Sequence, residues 1–149
     1  MTGADYIIRK MTADDVSAVA EIEKECFSSP WSEQGLLRET ENPSADFFVL
    51  EENGSIAAYM GMHIILDECY IANVAVKGSL RKKGYGQRLV ENALETAKNK
   101  GCFFITLEVR VSNIPAISLY EKCGFDKVGE RKDFYSAPKE NALIMTKYF

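Results

Sequence analysis

"VAVKGSLRKKGYGQRL", Val74 to Leu89, is the stretch from which the rest of the chain can be read. Three apolar residues give way to a basic turn punctuated by glycines, and a helical pattern follows. Lys77, Arg81, Lys82, Lys83 and Arg88 fall within twelve residues of a chain whose net charge is -4. Such a turn suits a solvated loop, a nucleic-acid patch or a cradle for a phosphate-bearing ligand. The amides of a helix's first turn lack intrahelical partners and carry partial positive charge, so a helix starting near Tyr85 would attract phosphate. Gly84 and Gly86 would let a ligand approach the backbone, and Arg81, Lys82 and Lys83 would surround it with charge. A Walker loop is excluded, because no Gly-Lys-Ser/Thr is present. A dinucleotide fingerprint is excluded too, because its third glycine would fall at Leu89.

Upstream of this stretch, "CYIANVAV" is apolar enough for a central strand. "DFFVLEENGSIAAYMGMHII" predicts a hairpin turning at Asn53-Gly54. "DYIIRKM" predicts a first strand, Thr12 with Asp15 a near capping box, and Val16, Val19, Ala20 and Glu23 a helix. A break at Pro30 and a cap at Ser32 predict a second helix. Downstream, Leu89, Val90, Ala93, Leu94 and Ala97 form an apolar stripe that ends before Gly101. "CFFITLEV" predicts a strand. "NIPAISLYEKCGF" predicts a short helix with Asn113 as its cap, Pro115 in its first turn and Gly124 at its end. "DKVGERKDFY" and "NALIMTKYF" predict two closing strands around a loop at "SAPKEN". The order β-α-α-β-β-β-α-β-α-β-β implies one α/β (α+β) domain over residues 1–149, with a mixed sheet.

Composition narrows the function. A chain of 149 residues, 46% hydrophobic and 27% charged, suits one folded domain. No apolar run reaches the roughly 20 residues a membrane helix needs. The N-terminus lacks a secretory pattern, so a cytoplasmic protein is expected. Cys26, Cys69, Cys102 and Cys123 are scattered and His63 is the single histidine, which argues for reduced thiols and against a zinc site. A pI near 5.1 argues against a general nucleic-acid face.

Two motifs together decide between the readings of the basic turn. Arg81-Lys82-Lys83-Gly84-Tyr85-Gly86 resembles the R/Q-x-x-G-x-G/A pyrophosphate loop of the GCN5-related N-acetyltransferase (GNAT) superfamily. "NIPAISLYEKCGF" resembles that superfamily's N-x-x-A-x-x-L-Y-x-x-x-G-F segment. "PWSE", "LDE", "LEVRVSN" and "ENALIM" narrow the likeness to the bacterial ribosomal-protein-alanine N-acetyltransferases (RimI type). The resemblance implies a mostly antiparallel central sheet of about seven strands flanked by about four helices, and acetyl-CoA as cosubstrate with no metal. It implies that acetyl-CoA meets the backbone of Val74, Ala75 and Val76, with its pyrophosphate along Arg81, Lys82, Lys83, Gly84, Tyr85, Gly86 and Gln87. Asn113 would bond the pantetheine arm, Glu108 would be the general base and Tyr120 the general acid. Gly78 stands where relatives often carry proline. The acceptor implied is the N-terminal α-amine of a ribosomal protein. Trp31 and Tyr135 are expected at the peptide-binding edge, and Asp67 and Glu68 would favour a basic peptide. Neither nucleic acid nor membrane is an expected partner, and the oligomeric state is left open.

The chemistry is consistent with these residues. With a pKa of about 7.7–8.0, roughly a tenth of α-amines are neutral at pH 7, against well below about 0.1% of lysines at about 10.4. A glutamate near about 4.3 serves best with a raised pKa or through a water. A tyrosine at about 10 protonates a thiolate at about 8.5 uphill, by about 2 kcal/mol. Backbone N–H groups freed where the Val74–Val76 strand leaves its neighbour could stabilise an oxyanion. Residue by residue, other readings stand beside these. Glu108 could be a solvated carboxylate, Asn113 a helix cap, Tyr120 and Trp31 packing. At the level of function, the rivals are acetylation of a small amine or a lysine, a non-catalytic CoA-binding module, and an RNA binder.

Overall fold

Asn53 and Gly54 both take positive φ, 51° and 84°, the pair of left-handed residues that a two-residue type I′ hairpin turn requires. The strands they join are the start of a seven-stranded sheet. A computed structural model of the chain describes residues 5–149. Its strands are β1 (Tyr6–Lys10), β2 (Ala45–Glu52), β3 (Ser55–Ile65), β4 (Glu68–Val76), β5 (Phe104–Arg110), β6 (Asp126–Ser136) and β7 (Lys139–Tyr148). Its α-helices are α1 (Val16–Cys26), α2 (Glu33–Glu41), α3 (Tyr85–Asn99) and α4 (Ile114–Lys122). The order of elements is the one the sequence predicts.

Side-chain chemistry sets the helix ends. Ser32 Oγ accepts the Gly35 amide at 3.0 Å and opens α2, and Asn113 Oδ1 accepts the Ala116 amide at 3.3 Å and opens α4. Asp15 takes the Thr12 amide at 2.8 Å, so aspartate performs the return half of a capping box. Gly101 and Gly124 follow α3 and α4 with φ of 78° and 94°. The loop expected at "SAPKEN" is shorter than predicted. β6 runs to Ser136 and β7 starts at Lys139, because Ser136 and Lys139 continue the antiparallel ladder.

The strands lie in the order β1-β2-β3-β4-β5-β7-β6. Every adjacent pair is antiparallel except β4 and β5, and α3 is the crossover that a parallel pair needs. Apolar side chains cover both faces. Leu89, Val90 and Ala93 of α3 and Ile117 of α4 pack with Met60, Met62 and Leu107 on one face. Val16 and Val19 of α1 and Leu36 of α2 pack with Phe47, Val49 and Tyr59 on the other. Burial of each such side chain stabilises the fold by about 1.5–3 kcal/mol before entropy is counted.

Two irregularities shape the functional end of the sheet. β4 pairs with β5 only at Glu68–Phe104, Cys69–Ile105 and Tyr70–Thr106. Beyond Tyr70, β4 stays with β3 as far as Val76, while β5 stays with β7 as far as Arg110. The two central strands therefore part. In addition, Gly61 faces Asn73 while Met62 faces Ile71, so Ala72 is an extra residue in β4. This bulge twists β4 just where it leaves β5.

Candidate active site

The parting of β4 and β5 opens a cleft of about 420 Å³. Asn73 and Val74 line it from β4, Glu108 and Arg110 from β5, Asn113 and Tyr120 from the loop and helix that follow, and Tyr135 from β6. Phe27, Ser28 and Ser29 form part of its wall between α1 and α2. The structure thus brings Val74, Glu108, Asn113, Tyr120 and Tyr135 of the expected residues to one cavity.

The backbone of β4 is open on this side. The Lys77 amide donates to Ala57 of β3, whereas the Val76 carbonyl accepts Arg81 Nε at 3.2 Å and the Cys26 thiol at 3.5 Å. Backbone groups alternate in direction along a strand. Val74 and Val76 therefore present their amides and carbonyls away from β3, and Ala75 presents its own toward β3. An extended acyl chain laid along β4 would find hydrogen-bond partners at Val74 and Val76.

The basic turn has an equally clear local cause. Gly84 caps α3 in the left-handed region, with φ 82° and ψ 11°. The first intrahelical bond there runs from the Arg88 amide to the Gly84 carbonyl, which leaves the amides of Tyr85, Gly86 and Gln87 facing out of the helix end. This arrangement fits a phosphate group. The side chains are less uniform than the sequence suggests. Lys82 is exposed, but Arg81 turns back to Val76 and to Cys26 Sγ at 3.2 Å. Lys83 pairs with Glu52 at 3.1 Å. Tyr85 is 3% exposed, donates its hydroxyl to Glu52 and packs on Tyr6, so it can offer a ligand only its backbone. Gln87 bonds Glu91 at 3.3 Å. Gly78 donates its amide to the Glu25 carboxylate, a bond proline could not make.

Glu108 extends from an exposed position on β5, and Arg131 Nε donates to its Oε2 at 2.7 Å. Oε1 has no protein partner among the described residues. Tyr120 is 7% exposed and packs on Phe125 with ring centres 5.6 Å apart. Burial pushes its phenol well above the usual tyrosine value, helped by its neighbours Tyr135 and Cys123. Tyr120 is therefore a lasting hydroxyl donor in the cleft and a poor source of a free proton. Burial also raises Tyr135, followed by the charge of Glu108, which sets Glu108, Tyr135 and Tyr120 around one space. Arg110 stacks on the Tyr135 ring at 4.3 Å and bonds the Ala137 and Pro138 carbonyls, so it fixes the β6–β7 turn over the cleft.

Three expected residues lie elsewhere. Asp67 is in the β3–β4 turn and Glu68 opens β4 opposite Phe104. Glu108 is four residues farther along β5, about 13 Å at the usual strand rise. Neither acid reaches the cleft, and Glu68 instead accepts the Tyr70 hydroxyl. Trp31 is half-buried with its ring edge on Phe47, 5.7 Å between centres. Apolar packing against the core of the α1–α2 face holds it there. Asn73 and Arg110 line the cleft as well, unforeseen from the sequence. A polar residue inside the apolar "YIANVAV" was the available sign of Asn73.

Comparison with known proteins agrees with this geometry. Residues 16–125 match the Acetyltransferase (GNAT) family. A Bacillus subtilis (strain 168) protein, named provisionally as a ribosomal protein bS18-alanine N-acetyltransferase, is 41% identical over 139 residues, 93% of this chain and 92% of that one. The Escherichia coli (strain K12) ribosomal protein bS18-alanine N-acetyltransferase is 32% identical over 140 residues, covering 93% and 94%. The crystal structure of the ribosomal-protein-S18-alanine N-acetyltransferase from Escherichia coli superposes with a TM-score of 0.89 over 97% of this chain and 94% of that chain, at 31% identity. With a β4 that parts from β5 beside a glycine-capped α3, and with such relatives matching it over nearly all its length, the chain belongs to the GNAT family of N-acetyltransferases.

Proposed function

We propose that the chain transfers the acetyl group of acetyl-CoA to the N-terminal α-amine of a ribosomal protein, by direct attack of the amine. One observation carries the reading. Glu108 and the Tyr120 hydroxyl share a single cleft with the open backbone of Val74, at the end of the sheet where α3 presents its free amides. Relatives named for the alanine of ribosomal protein bS18 support this acceptor.

Acetyl-CoA supplies an activated acetyl thioester, and the free amides of Tyr85, Gly86 and Gln87 with the charge of Lys82 would hold its pyrophosphate. The amides of Val74 and Val76 would align its acyl arm, and Asn113 would close over it. Glu108, oriented through Oε2 by Arg131, accepts the amine proton at Oε1 or through one water. Tyr120 would donate a hydrogen bond to the sulfur as the C–S bond breaks, so that CoA leaves as a thiolate and takes its proton from water. Tyr135, locked by Arg110, lies over the acceptor side of the cleft. Action on a ribosomal protein places the reaction in the cytoplasm.

The test is mass spectrometry of an alanine-initiated peptide with the N-terminal sequence of bS18, incubated with the protein and acetyl-CoA. A gain of one acetyl group on the α-amine is expected. Labelling of polyamines or internal lysines with the α-amine untouched would overturn this acceptor.

A further inference from the structure

Glu23 is 0% exposed on the apolar stripe of α1. The other buried acids have cations: Asp15 pairs with Arg9, and Asp46 with Lys10 and Lys100. Glu23 has none among the described residues. A buried carboxylate without a counter-ion is costly, and leucine at this position would satisfy the stripe. Its neighbours show what the carboxylate does. Oε1 accepts the Trp31 amide at 2.9 Å. Oε2 accepts the Tyr59 hydroxyl and Asn73 Nδ2, the latter at 2.9 Å. Its two oxygens thus hold three polar neighbours, a backbone amide, a phenol and a side-chain amide.

The two oxygens bind two segments whose residues line the cleft. Trp31 anchors the loop whose Phe27, Ser28 and Ser29 face the cavity, and Asn73 is the residue after the β4 bulge, next to Val74. We propose that Glu23 is a positioning residue for acetyl transfer, a buried clamp that sets the distance between the α1–α2 wall and the acyl-binding backbone of β4. The inference rests on the proposed acetyl transfer. Glu23 itself touches neither substrate. Tyr59 holds the clamp from β3, so that α1, β3 and β4 meet at one group.

Glu23→Gln replaces one acceptor oxygen by a donor, which leaves either the Trp31 amide or the β4 side unpaired. Asn73→Ala frees β4 alone at a half-buried position and serves where Glu23→Gln folds poorly. Both variants are compared with the wild-type protein in kcat and KM for the acceptor peptide, in CoA affinity by calorimetry, and in exchange of the Trp31 amide by NMR. The expected result is a fall of about tenfold or more in kcat, the scale of a small misplacement of reacting groups, with CoA affinity within about twofold. Trp31 exchange should quicken at least about tenfold in Glu23→Gln, and the double variant should be no slower than Glu23→Gln alone, because both act on one clamp. Wild-type kcat in either folded variant, independent additive losses, or unchanged Trp31 exchange in Glu23→Gln would overturn the clamp. Absence of transfer by the wild-type protein would count against the function instead, while Trp31 exchange still decides whether the clamp exists.

Discussion

Tyr120 shows how one burial event limits a side chain to one kind of chemistry. Its phenol is raised by desolvation above an ordinary value that already exceeds a thiol's. Full proton transfer from it is therefore more uphill than composition alone implies, while its hydroxyl stays protonated through the working pH range. The sign follows directly: a raised phenol ionises only above about pH 10, so no decline in rate below that pH arises from Tyr120. Tyr120→Phe should lower kcat about tenfold and leave the shape of its pH profile unchanged up to pH 10. Glu108→Gln removes the proposed proton acceptor and should cost about 10² to 10³ in kcat/KM. Steady-state kinetics across pH on both variants checks the pair, and loss of a basic limb in Tyr120→Phe would refute the donor role. That both lie at one cleft was legible because short motifs surround them. Asn73 and Glu23 were not, since each looks like an isolated polar residue until the fold brings their side chains to 2.9 Å.

At the scale of elements, the turn into α3 separates two glycines that look equivalent in the sequence. Gly84 holds φ 82°, and a Cβ there would meet nothing within 4 Å. Its requirement is conformational, and a side chain would cost about 1–2 kcal/mol in the left-handed region. Gly86 is inside the helix, where a Cβ would approach Leu119 Cδ2 at 3.3 Å and Val76 Cγ2 at 3.7 Å. Its requirement is packing between α3, α4 and β4. Gly84→Ala should thus weaken CoA binding by reshaping the amide cradle, with a loss of about 1 kcal/mol in stability. Gly86→Val should destabilise the protein by about 1–3 kcal/mol through overpacking. Calorimetric CoA titration beside chemical unfolding separates the two effects, and a Gly84→Ala protein that binds CoA as the wild type does would contradict the assignment. The element order was readable because turns and caps are local: Asn53-Gly54, Ser32 and Asn113 each act within a few residues. The extra residue Ala72 and the short β4–β5 ladder were not readable, because they arise from pairing between strands distant in sequence.

Across the whole molecule, the buried acids act on stability with opposite signs. Arg9 holds Asp15 below its usual value by hydrogen bonding, against a desolvation that raises it. For Asp46 desolvation is the largest influence and raises it, but Lys10 and Lys100 together bring it below its usual value. These aspartates stabilise the fold above about pH 4, their unfolded range, and that contribution is lost as pH falls through their lower folded values. Burial raises Glu23 despite its three donors, so its contribution is complete below its unfolded value and declines as pH rises through the folded one. Asp46 is also the staple that joins β1 and β2 to the end of α3, through Lys10 at 2.6 Å and Lys100 at 2.7 Å. Asp46→Asn should cost about 2 kcal/mol at pH 7, the scale of charge-assisted hydrogen bonds that are partly exposed. As pH falls below the usual aspartate range and through the lowered folded value, the wild-type aspartate takes up its proton, so the gap between the two proteins should narrow. Urea unfolding of both from pH 7 down through the acid range measures this, and a gap that stays constant throughout would mean that Asp46 stabilises the fold through packing rather than through its charge.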